Sequence, residues 1–303
     1  MNAGGRASRF GKQTIPLIRN ISGSVKSGEV LAIMGPPGAG KTVLLNLLTL
    51  EDGPAMPTGS VTINGRPLTM SLYRKYCAFV PLHHLLWAML TARQHLEHAY
   101  ALYRPELQGK ARTKAVDDLL DAIGMVSAQH TRAGNHFING LSGGQKRRLS
   151  LAIAIVKQPK VLVLDEPTSG LDSAAAVAIM RFIKSLALAH GLCVVCTIHQ
   201  PSIAVFECFD KTLMLAEGRT AYYGPASEME AHFTGLGHQR PEVTNPAEFV
   251  LDLISRDLSS TAAVSELLNA WQRKAPTISP SAATSLEEPS PGAGLCTHAR
   301  HVE

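Results

Sequence analysis

The feature that most constrains the fold is the stretch GPPGAGKT at residues 35–42, which matches the pattern GxxxxGK[ST]. A short apolar run, GEVLAIMG (28–35), precedes it, and TVLLNLLTL (42–50), with leucines at helical spacing, follows it. The order strand, glycine-rich loop and helix aims backbone N–H groups at one point, where they can surround phosphate oxygens. This motif therefore predicts an α/β fold with a phosphate-binding loop.

Each position of this loop has an expected role in holding ATP. Backbone N–H groups of Gly38 to Lys41 wrap the phosphate oxygens, the Lys41 ammonium reaches the β and γ phosphates, and the Thr42 hydroxyl joins Mg²⁺. The nucleotide-binding residues predicted in this region are Gly35, Pro36, Pro37, Gly38, Ala39, Gly40, Lys41, Thr42 and Val43.

Two later strands end in polar residues. KVLVLDEP (160–167) reads as a strand buried on both faces, and it ends in Asp165 and Glu166. Asp165 is the candidate Mg²⁺ ligand, and Glu166 is the candidate base that orients the attacking water. CVVCTIH (193–199) reads as the next strand and ends in His199, which we expect beside the γ phosphate because ligands bind beyond the carboxyl ends of parallel strands.

A second glycine-rich helix entrance lies at LSGGQKRRLSLAIAIV (141–156). Ser142, Gly143 and Gly144, followed by Gln145, would form another anion-binding helix end, although the first loop already surrounds the phosphates of one nucleotide. The second half-site implies a phosphate presented from outside. Two copies arranged head to tail would each close the other's ATP, so that ATP holds a dimer together and hydrolysis releases it.

The remaining sequence suggests the domain organisation. GSVTINGRPL (59–68) reads as a hairpin around Asn64-Gly65, and residues 90–157 read as a helical insertion in a layered core. We expect a mobile amino terminus (1–12), a nucleotide-binding domain (13–255), a short amphipathic helix (256–274) and a disordered tail rich in Pro, Ser and Ala (275–303).

Composition excludes several classes of partner and site. The net charge of +5 is scattered, and the only tight cluster, Lys146 to Arg148, is expected to be a solvated helix face, so nucleic-acid binding is not predicted. Cys193 and Cys196 form a CxxC in an apolar run whose alternation sends them to opposite faces, which excludes a shared metal. The amino terminus lacks the apolar segment of a secretory signal, and no run reads as a membrane span.

The order of GPPGAGKT, LSGGQ, VLVLDEP, SGLD and TIH resembles that of the nucleotide-binding domain of ABC transporters, over about residues 15–255. LSGGQKRRLSLA, DEPTSGLDS, TIHQPS and NPAEFVLDLIS are similar to the G subfamily, the White and pleiotropic-drug-resistance type. The resemblance implies a P-loop NTPase three-layer core, RecA-like, with an antiparallel β subdomain and a helical insertion carrying LSGGQ. It also implies a signature at Leu141 to Gln145, a D-loop at Ser169 to Asp172 with Asp172 at the nucleotide, and a transmembrane partner at the cytoplasmic membrane face.

Three departures from the family pattern stand out. Leu82, His83 and His84 occupy the places of a glutamine and the acidic residues that follow it, and leucine has neither the donor nor the acceptor of that glutamine. Phe10 is the candidate for the aromatic residue that stacks on adenine. We expect no membrane domain after the nucleotide-binding domain, because a tail rich in Pro and Ser stands in that place.

Three functions remain open from the sequence. The first is an ATP-hydrolysing subunit of a G-type exporter. The second is a partner that binds ATP without turning it over, which Leu82 favours, and the third is a soluble regulatory ABC ATPase.

Overall fold

The computed structural model describes residues 17–51, 57–83 and 85–274, together with the backbone of the short strands Asn2–Ala3 and Leu295–His298. The strands in this part of the chain are β1 (Asn2–Ala3), β2 (Gly23–Val25), β3 (Val30–Met34), β4 (Pro57–Thr58), β5 (Ser60–Ile63), β6 (Arg66–Pro67), β7 (Cys77–Val80), β8 (Val161–Leu164), β9 (Cys193–Thr197), β10 (Lys211–Ala216), β11 (Arg219–Pro225) and β12 (Leu295–His298). The helices are α1 (Lys41–Thr49), α2 (Met70–Tyr76), α3 (Ala92–Tyr103), α4 (Gly109–Ala122), α5 (Gly143–Val156), α6 (Ser173–His190), α7 (Ile203–Phe206), α8 (Met229–Thr234), α9 (Pro246–Ile254) and α10 (Thr261–Lys274).

A six-stranded sheet with the order β11-β10-β3-β9-β8-β7 forms the centre of the molecule. The five strands from β10 to β7 are parallel, and β11 pairs antiparallel at one edge. Parallel strands buried on both faces need no polar alternation, which explains why VLAIM and VLVL read as continuous apolar runs.

Strand alternation divides the apolar side chains of this sheet between two cores. Val30, Ala32 and Met34 belong to the core that also contains apolar residues of α6, α9 and α10. Leu31 and Ile33 belong to the core that contains α1 and the antiparallel strand β5. The expected α/β fold with a three-layer core is thus confirmed, and Cys193 and Cys196 fall into different cores as predicted.

An antiparallel sheet of order β2-β12-β5-β6 supplies the expected β subdomain, and β1 pairs separately with β4. The hairpin between β5 and β6 turns at Asn64 and Gly65, which have φ angles of 49° and 75°. Positive φ at both residues is the requirement of a type I′ turn. The hairpin predicted at this position is therefore present.

The helical insertion consists of α3, α4 and α5 packed around their own apolar cluster, which includes Leu96, Leu120 and Leu149. Helix α6 is capped by Asp172 at its start and by Gly191, in the left-handed region, at its end. By length and mean hydropathy α6 is apolar enough to cross a membrane, but Ile179 and Ile183 pack it into the core of the sheet.

Helix α10 also packs on this core, through Val264, Leu267 and Leu268. The expected division into residues 13–255 and 256–274 therefore does not separate two cores, since both parts contribute apolar residues to the same one. The expected mobile amino terminus with Phe10, and the expected disordered tail, lie outside the described residues, except for Asn2–Ala3 and Leu295–His298, which form strands.

Candidate functional site

The glycine-rich loop connects β3 to α1 and shapes the start of that helix. Gly40, the N-cap of α1, has φ 100°, and a Cβ atom there would lie 2.7 Å from Ile18 Cγ2. At Gly35 a Cβ atom would lie 2.2 Å from the carbonyl oxygen of Leu215. Side chains are thus excluded at both positions. Because no side chain caps α1, its first N–H groups are left for an anion.

The Lys41 side chain folds back over this loop. Its Nζ donates hydrogen bonds to the carbonyl oxygens of Gly35, at 2.7 Å, and Pro36, at 3.2 Å. Burial lowers the pKa of Lys41, while the negative charges of Glu166 and Asp165 act in the opposite direction. The ammonium therefore lies within electrostatic reach of both carboxylates.

The carboxyl ends of β3, β8 and β9 meet at one edge of the sheet. Ile33 pairs with Thr197, and Leu164 pairs with Cys196, so the residues that follow these strands emerge side by side. The phosphate loop, the Asp165-Glu166 pair and the segment that reaches His199 start from this edge. His199 is exposed, two residues beyond the end of β9.

Thr197 ties the two acidic residues together. Its Oγ1 donates to Asp165 Oδ1 over 2.7 Å and accepts from the Glu166 backbone N–H over 2.8 Å. Thr197 is 1% exposed, so both bonds are shielded from water. Sequence reasoning did not select this residue, although a single polar side chain inside the apolar run CVVCTIH was a detectable signal.

The second glycine-rich helix entrance is the start of α5. The Ser142 hydroxyl accepts from the Gln145 N–H, and Gln145 Oε1 accepts from the Ser142 N–H, which is a capping box. Ser142 and Gly143 are exposed, and Cβ atoms on Gly143 and Gly144 would meet the Leu171 side chain at 3.9 and 3.8 Å. The signature therefore lies against the predicted D-loop, and the amino-terminal end of its helix is exposed to solvent. Asp172 of that loop caps α6, with its Oδ1 accepting from the Ala175 N–H.

One expectation for this region is wrong. Arg147, the middle residue of the trio expected to be a solvated face, is 2% exposed. Its guanidinium donates to the carbonyl oxygens of Pro81, Leu82 and Glu166 over 3.0–3.2 Å. Helical geometry explains the difference: Arg147 lies four residues before the buried Leu151, and thus on the same face of α5.

Leu82 itself is half-buried, and it follows β7 closely. Its side chain offers no polar atom to the site, but its carbonyl oxygen is held by Arg147. The segment at 81–82 is thus fixed through its backbone.

Comparison with known proteins identifies the family of this chain. The family description "ABC transporter" matches residues 18–169, half of the chain, and the chain therefore belongs to the ABC transporter family. A second description, "ABC-2 type transporter", matches residues 199–279.

The relatives then narrow the assignment to the G subfamily. The chain is 42% identical to ABC transporter G family member 7 of Arabidopsis thaliana over 82% of its own length and 34% of that protein. It is 38% identical to ATP-binding cassette sub-family G member 8 of Rattus norvegicus, covering 80% of its own length and 35% of the relative. The predicted G-type resemblance is confirmed, and the chain spans about a third of the length of these curated relatives.

A solved structure supports the same fold. The ATP-binding cassette MJ0796, described as dimeric, in a post-hydrolysis state and bound to ADP and Pi, matches with a TM-score of 0.60 and 26% identity. The match covers 75% of this chain and 99% of that cassette.

Proposed function

We propose that this chain binds and hydrolyses ATP as part of a G-type ABC exporter, at the cytoplasmic face of a membrane. The observation that carries the proposal is the shared sheet edge, where the phosphate loop, the Asp165-Glu166 pair and the segment to His199 start together. ABC membership and the ADP- and Pi-bound cassette support ATP as the nucleotide.

In this proposal each residue acts on a different part of ATP. The start of α1 and Lys41 hold the phosphates, and Lys41 exchanges its bonds to Gly35 and Pro36 for phosphate oxygens. Glu166 orients the attacking water and accepts its proton, while His199 contacts the γ phosphate.

The residues at this edge also fit Mg²⁺. Among the described residues no group of three or more His, Cys, Asp or Glu could hold a metal ion. Mg²⁺ commonly takes only one or two protein ligands and completes its shell with phosphates and water, so Thr42 and Asp165 are a suitable pair. When bound, Mg²⁺ would neutralise developing charge on the phosphates.

The exposed signature supports a head-to-tail dimer with a second nucleotide-binding domain. Ser142, Gly143, Gly144 and Gln145 open this helix, and the capping box uses the N–H groups of Ser142 and Gln145, so those of Gly143 and Gly144 can receive a phosphate from another chain. Asp172, beside the signature, would lie near the same nucleotide. The dimeric state named for the cassette MJ0796 agrees with this arrangement.

An exposed apolar surface supports a transmembrane partner. Leu85, Trp87 and Met89 are 84%, 69% and 64% exposed, and they follow the segment held by Arg147. Leu85 also lines a cavity of about 310 Å³, together with apolar residues that include Phe79, Leu86 and Ile153. Contiguous exposed apolar side chains mark sites of protein or membrane interaction. We assign this surface to the membrane domain of the exporter.

A second candidate function is favoured by Leu82. Without the glutamine expected there, the chain would bind ATP but leave hydrolysis to a complete partner in a heterodimer. The two functions share the nucleotide site and differ in turnover.

ATP turnover of the purified chain, with dimerisation followed by light scattering, tests both candidates. We expect wild type to hydrolyse ATP, and Glu166→Gln to lose about 100-fold or more of kcat, because a positioned general base contributes about that factor. The variant should accumulate an ATP-bound dimer. The control Glu207→Gln removes an exposed carboxylate outside the site and should behave as wild type.

Absence of turnover in wild type, with ATP still bound, would contradict hydrolysis and support the non-catalytic partner. Absence of both ATP binding and dimerisation would contradict both candidate functions.

A further inference from the structure

Arg147 is a buried cation whose position needs an explanation. It is 2% exposed in the second turn of α5, and within the described part of the chain its Nε has no hydrogen-bond acceptor. A buried donor without a partner destabilises the folded chain, and a buried charge does so more strongly. Packing alone would be better served by an apolar side chain of similar length.

The guanidinium makes its bonds to two segments that are distant in sequence. Nη1 donates to the Pro81 carbonyl over 3.0 Å, and Nη2 donates to the Leu82 carbonyl over 3.1 Å. Nη2 also donates to the carbonyl of Glu166 over 3.2 Å. One rigid, planar group therefore fixes the segment after β7 relative to the residue after β8.

Glu166 is the acceptor of Arg147 that belongs to the proposed catalytic site. Its φ of 43° lies in the left-handed region, which non-glycine residues adopt rarely and with backbone strain. Thr197 Oγ1 holds its N–H and Arg147 holds its carbonyl, so the backbone is restrained on both sides. Such restraint maintains an unfavourable backbone conformation. That conformation determines the direction in which the Glu166 side chain leaves the backbone.

Arg147 also belongs to the element that carries the signature. It lies two residues after Gln145 and five after Ser142, and the capping box makes this end of α5 a regular helix. A displacement of the exposed signature would therefore be carried by the helix to Arg147, and through its guanidinium to Glu166 and the Leu82 segment.

We propose that Arg147 is a positioning residue, which holds Glu166 and the backbone of Leu82 in a fixed arrangement relative to the signature helix. Backbone carbonyls bound to one guanidinium then couple the signature helix to Leu82 and Glu166. The proposal rests on the proposed ATP hydrolysis for its functional consequence, but the restraint itself is a property of the nucleotide-free chain.

The test compares Arg147→Met, which keeps the length of the side chain without its donors, with Arg147→Lys, which keeps the charge. Arg148→Met is the matched control, since Arg148 lies on the same helix and donates to the carbonyls of Ile123 and Gly124, away from the site. Steady-state ATP hydrolysis and amide hydrogen exchange of the nucleotide-free protein are measured for all four chains.

We expect Arg147→Met to lose about 100-fold in kcat, because small misplacements of catalytic groups have effects of this size, with KM for ATP within about twofold. Exchange should accelerate in peptides spanning 79–87 and 164–170. The kcat and exchange rates of Arg147→Lys should lie between those of Arg147→Met and wild type, because an ammonium cannot reproduce the planar set of donors of a guanidinium. Arg148→Met should accelerate exchange only near residues 119–126, with kcat unchanged.

Unchanged kcat and unchanged exchange in Arg147→Met would overturn the proposal, as would full wild-type behaviour of Arg147→Lys. If Arg147→Met does not fold, Arg147→Lys decides by the same two measurements. If wild type shows no turnover, the proposed hydrolysis fails, and the exchange data alone decide: faster exchange in both peptides supports the restraint, and unchanged exchange overturns it.

Discussion

At position 82, where the sequence resemblance predicts a glutamine, the chain has a leucine, and the backbone of this residue is held in place. Its carbonyl oxygen accepts a hydrogen bond from Arg147, while its side chain, half-buried, contributes no polar atom. A glutamine at this position would combine a fixed backbone with a polar side chain. This chain has the fixed backbone and lacks the polar side chain.

Leu82→Gln should therefore raise ATP turnover. The added amide would supply one hydrogen bond in the reacting state, and a net gain of about 0.5–1.5 kcal/mol corresponds to roughly a 2- to 10-fold rise in kcat. Leu82→Met, of similar size but without an amide, is the control in the same steady-state assay. Turnover of Leu82→Gln equal to that of Leu82→Met would remove Leu82 as the cause of any low activity.

The predictability of the site also differs from residue to residue. Asp165, Glu166 and His199 were selected from sequence because they follow apolar runs of strand length, and parallel strands end at one edge. The contacts of Arg147 could not be predicted from the sequence, because its acceptors lie 66, 65 and 19 residues away along the chain. Adjacent basic residues on a helix are rotated by about 100° from one another, so a charge run does not reveal which member faces the core.

At the level of elements, the first turn of α3 contains a buried histidine, His95, that fixes the apolar segment before the helix. His95 is 8% exposed, and its Nε2 accepts from the Trp87 N–H over 3.0 Å. Nδ1, which then carries the proton, donates to the Thr91 carbonyl over 2.8 Å. This arrangement requires the neutral imidazole, and burial lowers the pKa of His95 below its ordinary value of 6.5.

The stability contributed by His95 should therefore depend on pH. Because its pKa is lower in the folded than in the unfolded chain, the contribution is complete above pH 6.5 and is lost as pH falls from 6.5 through the folded pKa. The free energy of unfolding, measured with urea, should be higher for wild type than for His95→Leu by about 1 kcal/mol or more at pH 7.5. The difference should be smaller at pH 5.5. A difference that stays constant across this range would contradict the assignment.

Elements of strong periodicity or clear turn chemistry were predictable, whereas the short strands β1 and β12 were not. The hairpin at Asn64-Gly65 and the cap at Asp172 follow from local residue types. Strand β12 was hidden, because LCTH is only four residues long and lies in a segment rich in Pro, Ser and Gly. It pairs with both β2 and β5, so its neighbours, and not its composition, determine its structure.

For the molecule as a whole, the nucleotide site and the proposed membrane-facing surface are joined through one short connection. Residues 81–82 are bound to Arg147, and Leu85, Trp87 and Met89 follow within seven residues. A partner seated on this surface would thus be a few residues from the backbone that contacts the signature helix. Substitutions there should separate partner binding from ATP chemistry.

Leu85→Glu should weaken association with the partner and leave ATP binding unchanged, because a side chain 84% exposed contributes little to the fold of the free chain. The measurement is co-purification with the co-expressed membrane domain of a G-family transporter, together with ATP affinity. Val243→Glu, 97% exposed in the segment before α9, is the control and should retain the partner. If both variants co-purify with equal amounts of the membrane domain, Leu85 is not part of the contact with this partner.

The strand order of the central sheet has a consequence for the time course of synthesis. Strand β3 lies between β9 and β10, so its nearest hydrogen-bonding neighbour is translated about 160 residues after it. At about 5–20 residues per second, the ribosome adds that length in roughly 8–30 s. During this interval the apolar segment VLAIM has no partner in the central sheet and is accessible to chaperones.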